Sequence, residues 1–327
     1  MANSIGNETQ LVPVCKGFDE ICSPVAYEVV ITIINAVALV INLLHLTTLR
    51  RITAASKGTK ASASKAYPFL IQLISLVDML CAIANVIKVN CILHRLLSLR
   101  PKQVGIALLI LEDCILMFRY PLLVIACAER YVVLHHAMRP ASIFFSRFCK
   151  LWCLLAFLIV LALYCTRALI TATKFCIHPV VGVLANSTAG LCIFMLSVLV
   201  PVLIASIMII LSTREMRKMK RRASTTEDER YLQKSTTYVF IITATFYACF
   251  VPAIISVLVK IVGKIDTLYT AMVVNIVTSC YGITNTMIYG WKHERYRKEL
   301  LKMFHPSKNI KETKVSSEGS NTESNSD

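Results

Sequence analysis

Seven blocks of mostly apolar residues, near 25–49, 67–88, 104–134, 151–172, 189–213, 235–259 and 267–291, divide this 327-residue chain, and nothing else in it constrains the fold as strongly. A helix rising about 1.5 Å per residue needs roughly 20 such residues to cross a hydrocarbon core of about 30 Å. The fifth and sixth blocks contain no Asp, Glu, Lys or Arg. Pro201 and Pro252 interrupt them, which a membrane bundle tolerates because neighbouring groups satisfy the freed carbonyls. Composition agrees: 17% of residues are charged and the mean hydropathy is +0.64, whereas a soluble domain carries about 25% charged residues. The expected fold is therefore an all-α membrane protein, a seven-transmembrane helix bundle over 25–291. An extracellular segment, 1–24, precedes it. A short amphipathic surface helix, 292–304, and a disordered cytoplasmic tail, 305–327, follow.

Orientation comes from basic residues. Arg50, Arg51, Lys57, Lys60 and Lys65 follow the first block, a basic run from Arg214 to Arg222 follows the fifth, and Lys292 to Lys302 follow the seventh. With an odd number of spans these segments share one side, and the positive-inside rule makes it the cytoplasm. Residues 1–24 lack the apolar stretch of a cleavable signal peptide, so the first helix is expected to act as its own insertion signal. Asn7 and Asn186 begin glycosylation sequons, and both fall outside in this topology. The expected location is the plasma membrane, multi-pass.

A net charge of +16 raises the question of a nucleic-acid partner, but most of the excess lies in inner loops facing anionic lipid headgroups. No nucleic acid is expected; the lipid bilayer is the partner of those charges. Of thirteen cysteines, Cys81, Cys114, Cys127, Cys153, Cys165, Cys192, Cys249 and Cys280 fall within spans, where a free cysteine behaves as a small apolar residue. Cys15, Cys22, Cys91 and Cys176 are expected outside, in an oxidising compartment, and four cysteines allow three complete pairings between which sequence does not choose. No spacing implies a metal or cofactor. At 291–304 aromatic and aliphatic residues recur at helical spacing among many cations, as in a helix lying along a membrane surface.

Glu129-Arg130-Tyr131 at the inner end of the third block matches the Asp/Glu-Arg-Tyr signature of rhodopsin-like G protein-coupled receptors. Asn42, Ser75-Leu76-Val77-Asp78, Trp152 and Pro201 match landmarks of that family in order. Phe246-Tyr247-Ala248-Cys249-Phe250-Val251-Pro252 is similar to its Phe-x-x-Cys-Trp-x-Pro motif, with Phe for Trp. Asn285-Thr286-Met287-Ile288-Tyr289 is similar to Asn-Pro-x-x-Tyr, with Thr for Pro. Tyr296-Arg297 stands where the surface helix carries Phe-Arg. The chain resembles a divergent member of the family over nearly all of 25–304. Gly105 replaces the cysteine at the outer end of helix three, so Cys176 is left open to Cys91, to the N-terminal segment or to no partner. Ile209 replaces a tyrosine of helix five.

The resemblance implies a receptor, not an enzyme, that passes an extracellular ligand signal to a heterotrimeric G protein. Glu129 would hold Arg130 at rest, and helix six would swing outward to release it. Phe250 above Pro252, with Phe246, would sense ligand, and Tyr289 would move inward to hold the open form, biasing a two-state equilibrium. Receptor kinases and arrestin are implied partners, through Ser224 behind Arg221-Arg222 and through Ser316, Ser317 and Ser320 in the tail. The ligand is open between a cationic amine and a small peptide. Glu112, Asp113, Phe250 and Ser279 are the candidate pocket residues, although Glu112 or Asp113 pairing internally with Arg119 or Lys88 is an equal alternative.

One departure is chemically specific. Ionisable groups inside a membrane are expensive and usually functional. The family's helix-two aspartate, here Asp78, holds a sodium ion with help from a small polar residue at the position of Arg119. A guanidinium there is a permanent cation. The expectation is an Asp78–Arg119 pair, able to be bidentate, that excludes sodium by volume and charge; its rival is Arg119 turned to Glu112. Other classes fit less well. An opsin needs a lysine in helix seven, where Ser279 stands. A seven-helix transporter, the alternative reading, favours repeats or paired broken helices, and neither is present. An intramembrane enzyme would need motifs that Asp78 and Asp113 lack.

Overall fold

A computed structural model describes residues 25–55, 66–93, 102–135, 140–171, 176–178, 182–184, 188–221, 227–263 and 268–304. Seven long helices follow in order: α1 (Val25–Ala55), α2 (Ala66–Leu93), α3 (Lys102–His135), α4 (Pro140–Thr171), α5 (Thr188–Lys220), α6 (Glu227–Gly263) and α7 (Leu268–Lys292). The short α8 (Glu294–Phe304) comes after a single-residue break at His293. Between α4 and α5 lies an antiparallel hairpin, β1 (Cys176–His178) and β2 (Gly182–Leu184), which pairs Cys176 with Leu184 and Ile177 with Val183. The apolar blocks do not announce that hairpin.

The described residues form an all-helical membrane protein apart from this hairpin. Among the described residues five helices are long and apolar enough to cross a bilayer: Val29–Ala55, Ala66–Ile87, Arg147–Thr166, Leu196–Lys220 and Leu232–Pro252. The sequence count was seven. The third block differs because Asp113, Arg119, Glu129 and Arg130 punctuate it, and α7 is not among the five either.

Helix ends run past the apolar blocks. Helix α5 continues to Lys220 and α6 begins at Glu227, because Arg, Glu, Met and Lys are good helix formers that an apolar count ignores. Helix α4 opens on Pro140, whose fixed φ and missing N–H suit a first helical turn. Pro121, Pro201 and Pro252 lie inside α3, α5 and α6, where each removes one hydrogen bond to the carbonyl four residues back.

The packing encloses polar groups and exposes apolar ones. Ile33, Val40, Ile159, Leu196, Leu203 and Ile207 are exposed, whereas Asn35, Asn42, Ser75, Asp78, Arg119 and Asn285 are buried. Apolar surface on this scale marks contact with a membrane. Helix α1 packs on α2 and α7, α6 on α7 and α5, and α4 on α5. Helix α3 runs through the middle, touching α2, α4, α5 and α6. Alternating helix directions bring the ends of α1, α3, α5 and α7 to the end that carries α8, together with the starts of α2, α4 and α6.

Candidate functional site

An enclosed ion pair lies at the centre of the bundle. Arg119 Nε lies 2.9 Å from Asp78 Oδ1, with side-chain exposures of 7% and 0%. The contact is closer than the alignment: neither atom has a hydrogen bond of acceptable angle, so charge attraction and not a directed bond joins them. The bidentate fork that an aspartate and an arginine can form is absent here. The second carboxylate oxygen, Oδ2, accepts instead from Asn285 Nδ2 at 3.1 Å. Asn285 Oδ1 in turn accepts from the Tyr238 hydroxyl at 3.3 Å. The Arg119 guanidinium also faces the Tyr281 ring at 5.6 Å. Glu112 lies in α3, but its side chain falls outside the described residues.

Asn42 ties this centre to α1. Its amide donates to Ala38 O at 2.9 Å and Gly282 O at 3.2 Å, and its oxygen accepts from Thr286 Oγ1 at 3.3 Å. Gly282 packs directly against this centre: a Cβ there would stand in ordinary contact, 3.5 Å from the Asn42 amide and 3.7 Å from Asp78 Cβ. Thr286, standing where the family pattern has proline, thus donates a bond across to α1. Two turns further from α8, Asn35 Nδ2 donates weakly to Ser279 Oγ at 3.5 Å, so that candidate pocket residue is already engaged.

At the α8 end Arg130 is 2% exposed. Its Nη2 donates to Glu129 Oε1 at 2.6 Å and its Nε to Glu129 Oε2. Its Nη1 donates to Ser235 Oγ of α6 at 2.8 Å. The guanidinium carbon sits 4.2 Å from the centroid of the Tyr67 ring of α2. One side chain therefore joins α2, α3 and α6. Val133, Leu134, Met219 and Leu232 pack together beside it, from α3, α5 and α6. Tyr131 stacks on His135, with ring centroids 5.5 Å apart and 12° between planes, and His135 reaches Glu215 of α5 at 3.4 Å.

Phe246 and Phe250 of α6 form an enclosed aromatic cluster with Tyr120 and Tyr281. Phe246 lies 4.3 Å from Phe250, 4.7 Å from Tyr120 and 5.1 Å from Tyr281, centroid to centroid. Pro252 follows, leaving the Ala248 carbonyl without its helical donor. Tyr281 contacts both this cluster and Arg119, so the aromatic and charged parts adjoin. Tyr289 is ringed by Tyr238 at 4.6 Å and by His45, His293 and Tyr296, each at 5.0 Å.

Sequence reasoning missed Ser235, Tyr67 and His45. A lone serine, tyrosine or histidine in an amphipathic run carries no periodic or motif signal. Trp152 lies on the outer face of α4, 44% exposed. Asp113 is half-buried in α3. Cys91 falls in the last turn of α2 and Cys176 in β1, with side chains outside the described residues. Cys15, Cys22, Asn7, Asn186, Ser224, Ser316, Ser317 and Ser320 also lie outside them. Cys81, Cys114, Cys127, Cys153, Cys165, Cys249 and Cys280, expected as thiols within spans, form no disulfide among the described residues, and the side chain of Cys192 lies outside them. No protein-family model matches the chain.

Proposed function

We propose that this protein is a divergent rhodopsin-like G protein-coupled receptor. In this reading all seven long helices cross the plasma membrane, the N-terminus is extracellular and α8 lies on the cytoplasmic face. Outward movement of α6 uncovers Arg130 for a heterotrimeric G protein. The observation that carries the reading is the tether of Arg130 to Ser235. A buried charge is costly unless paired and hydrogen-bonded, and here its third partner belongs to a different helix, so moving that helix changes the state of the arginine. Two packings separated by a few hydrogen bonds make a switch. The ligand is an extracellular small molecule or peptide that biases the equilibrium.

The Ser235 tether gives a test that needs no ligand. A hydrogen bond to a charged group contributes about 1.5–3 kcal/mol, so Ser235→Ala should raise ligand-independent nucleotide exchange on a G protein by roughly tenfold or more. Exchange no higher than in the wild type would remove Ser235 from the switch. A second expectation concerns the tail. Phosphate at Ser316, Ser317 and Ser320 would add about −1.5 to −2 charges per site and recruit a cationic arrestin surface. Deleting residues 313–327 should slow agonist-dependent internalisation, and an unchanged rate would count against that role.

A further inference from the structure

Tyr296 is the buried residue of α8; Glu294, Arg295, Arg297, Lys298, Leu301 and Phe304 are exposed. An eleven-residue helix is marginal in isolation, so its place depends on what Tyr296 meets. A fatty acyl chain on a nearby cysteine would be another anchor, but residues 293–327 contain no cysteine.

Tyr296 fills a socket built by two long helices. From α1, His45 Nδ1 lies 2.9 Å from the Tyr296 hydroxyl. From α7, Tyr289 meets the ring edge-on at 5.0 Å. Gly290 lines the socket, where a Cβ would stand in ordinary contact at 3.6 Å from Tyr296 Cε1. One turn beyond α8's midpoint, Met303 Sδ accepts from Thr48 Oγ1 at 3.5 Å. Burial pushes the Tyr296 hydroxyl up to about 12, so it stays a neutral phenol that either donates or accepts in the pair.

His45 itself is the unusual member. It is 1% exposed, and its Nε2 has no hydrogen-bond partner. An apolar side chain would fill this position without the cost of leaving a polar atom unsatisfied. What the imidazole provides is the bond to Tyr296, and its ring also lies edge-on to Tyr289 at 5.0 Å. We propose that His45 is a positioning residue: through its hydrogen bond to Tyr296 it fastens α8 to α1, and with the same ring it holds Tyr289 in the closed arrangement. The second half rests on the receptor reading above; the first does not.

The test uses the full chain in lipid discs, with Tyr296→Phe, His45→Leu and the double variant. Backbone hydrogen–deuterium exchange over 294–304 reads the fastening. Each single variant should speed it roughly fivefold or more, the scale of one buried hydrogen bond. The double variant should exchange more slowly than either single one, because it leaves neither polar partner stranded. Unchanged exchange in both single variants, or strictly additive effects in the cycle, would overturn the fastening. Ligand-independent nucleotide exchange reads the hold on Tyr289, and both single variants should raise it severalfold. A loosened α8 with unchanged nucleotide exchange, in a protein whose Ser235→Ala variant couples, would overturn the positioning role. If no variant, Ser235→Ala included, drives exchange on any G protein, the receptor reading and the positioning role fall together, and exchange at 294–304 alone decides the fastening.

Discussion

Replacing Arg119 by alanine is expected to destabilise the protein by about 3–5 kcal/mol, the scale of breaking a buried ion pair from one side. The loss comes mainly from Asp78, a carboxylate with 0% side-chain exposure that would keep only the Asn285 amide at 3.1 Å. Adding Asp78→Asn removes that stranded charge, so the double variant should recover much of the loss. Thermal unfolding midpoints in lipid discs, with surface expression alongside, measure the cycle, and purely additive losses would contradict the pairing. The same geometry predicts indifference to sodium. The guanidinium occupies the space beside the carboxylate and already supplies a positive charge. Exchanging sodium for a larger cation at fixed ionic strength should leave the unfolding midpoint and agonist affinity unchanged, and a sodium-dependent shift in either would argue against a closed pair.

The Asp78–Arg119 contact was legible through the resemblance, which puts Arg119 where the family has a small polar residue beside the helix-two aspartate, together with the cost of an unpaired charge at that depth. Its geometry was not legible. Whether a guanidinium meets a carboxylate through two aligned bonds or one oblique contact depends on helix rotation, and here Asn285 takes the second oxygen. Helix positions could be read because apolar length is a bulk property of a segment, while helix ends could not. The run Arg214–Lys220 is polar but strongly helix-forming, so α5 extends through it. The hairpin at Cys176–His178 and Gly182–Leu184 escaped notice because three-residue strands are too short for an alternating pattern. Glu129 and Arg130 were visible as a motif. Ser235, the residue that joins the motif to α6, is one hydroxyl among many, and only the packing of α3 against α6 distinguishes it.

Arg130→Ala should have the largest functional effect. It removes the side chain that binds Glu129, Ser235 and the Tyr67 ring and that, in the proposed open form, would meet the G protein. Stability should fall as well, since Glu129 is 1% exposed and would be left a stranded buried carboxylate, so function is compared at equal amounts of folded protein. The most direct measurement is nucleotide exchange on purified heterotrimers from several G protein families, catalysed by the wild type, Ser235→Ala and Arg130→Ala proteins in lipid discs at equal amounts of folded protein. The account predicts exchange above background for the wild type on at least one heterotrimer, roughly tenfold more for Ser235→Ala, and background for Arg130→Ala. Exchange by Arg130→Ala equal to that of the wild type, or background from both the wild type and Ser235→Ala on every heterotrimer, would contradict it.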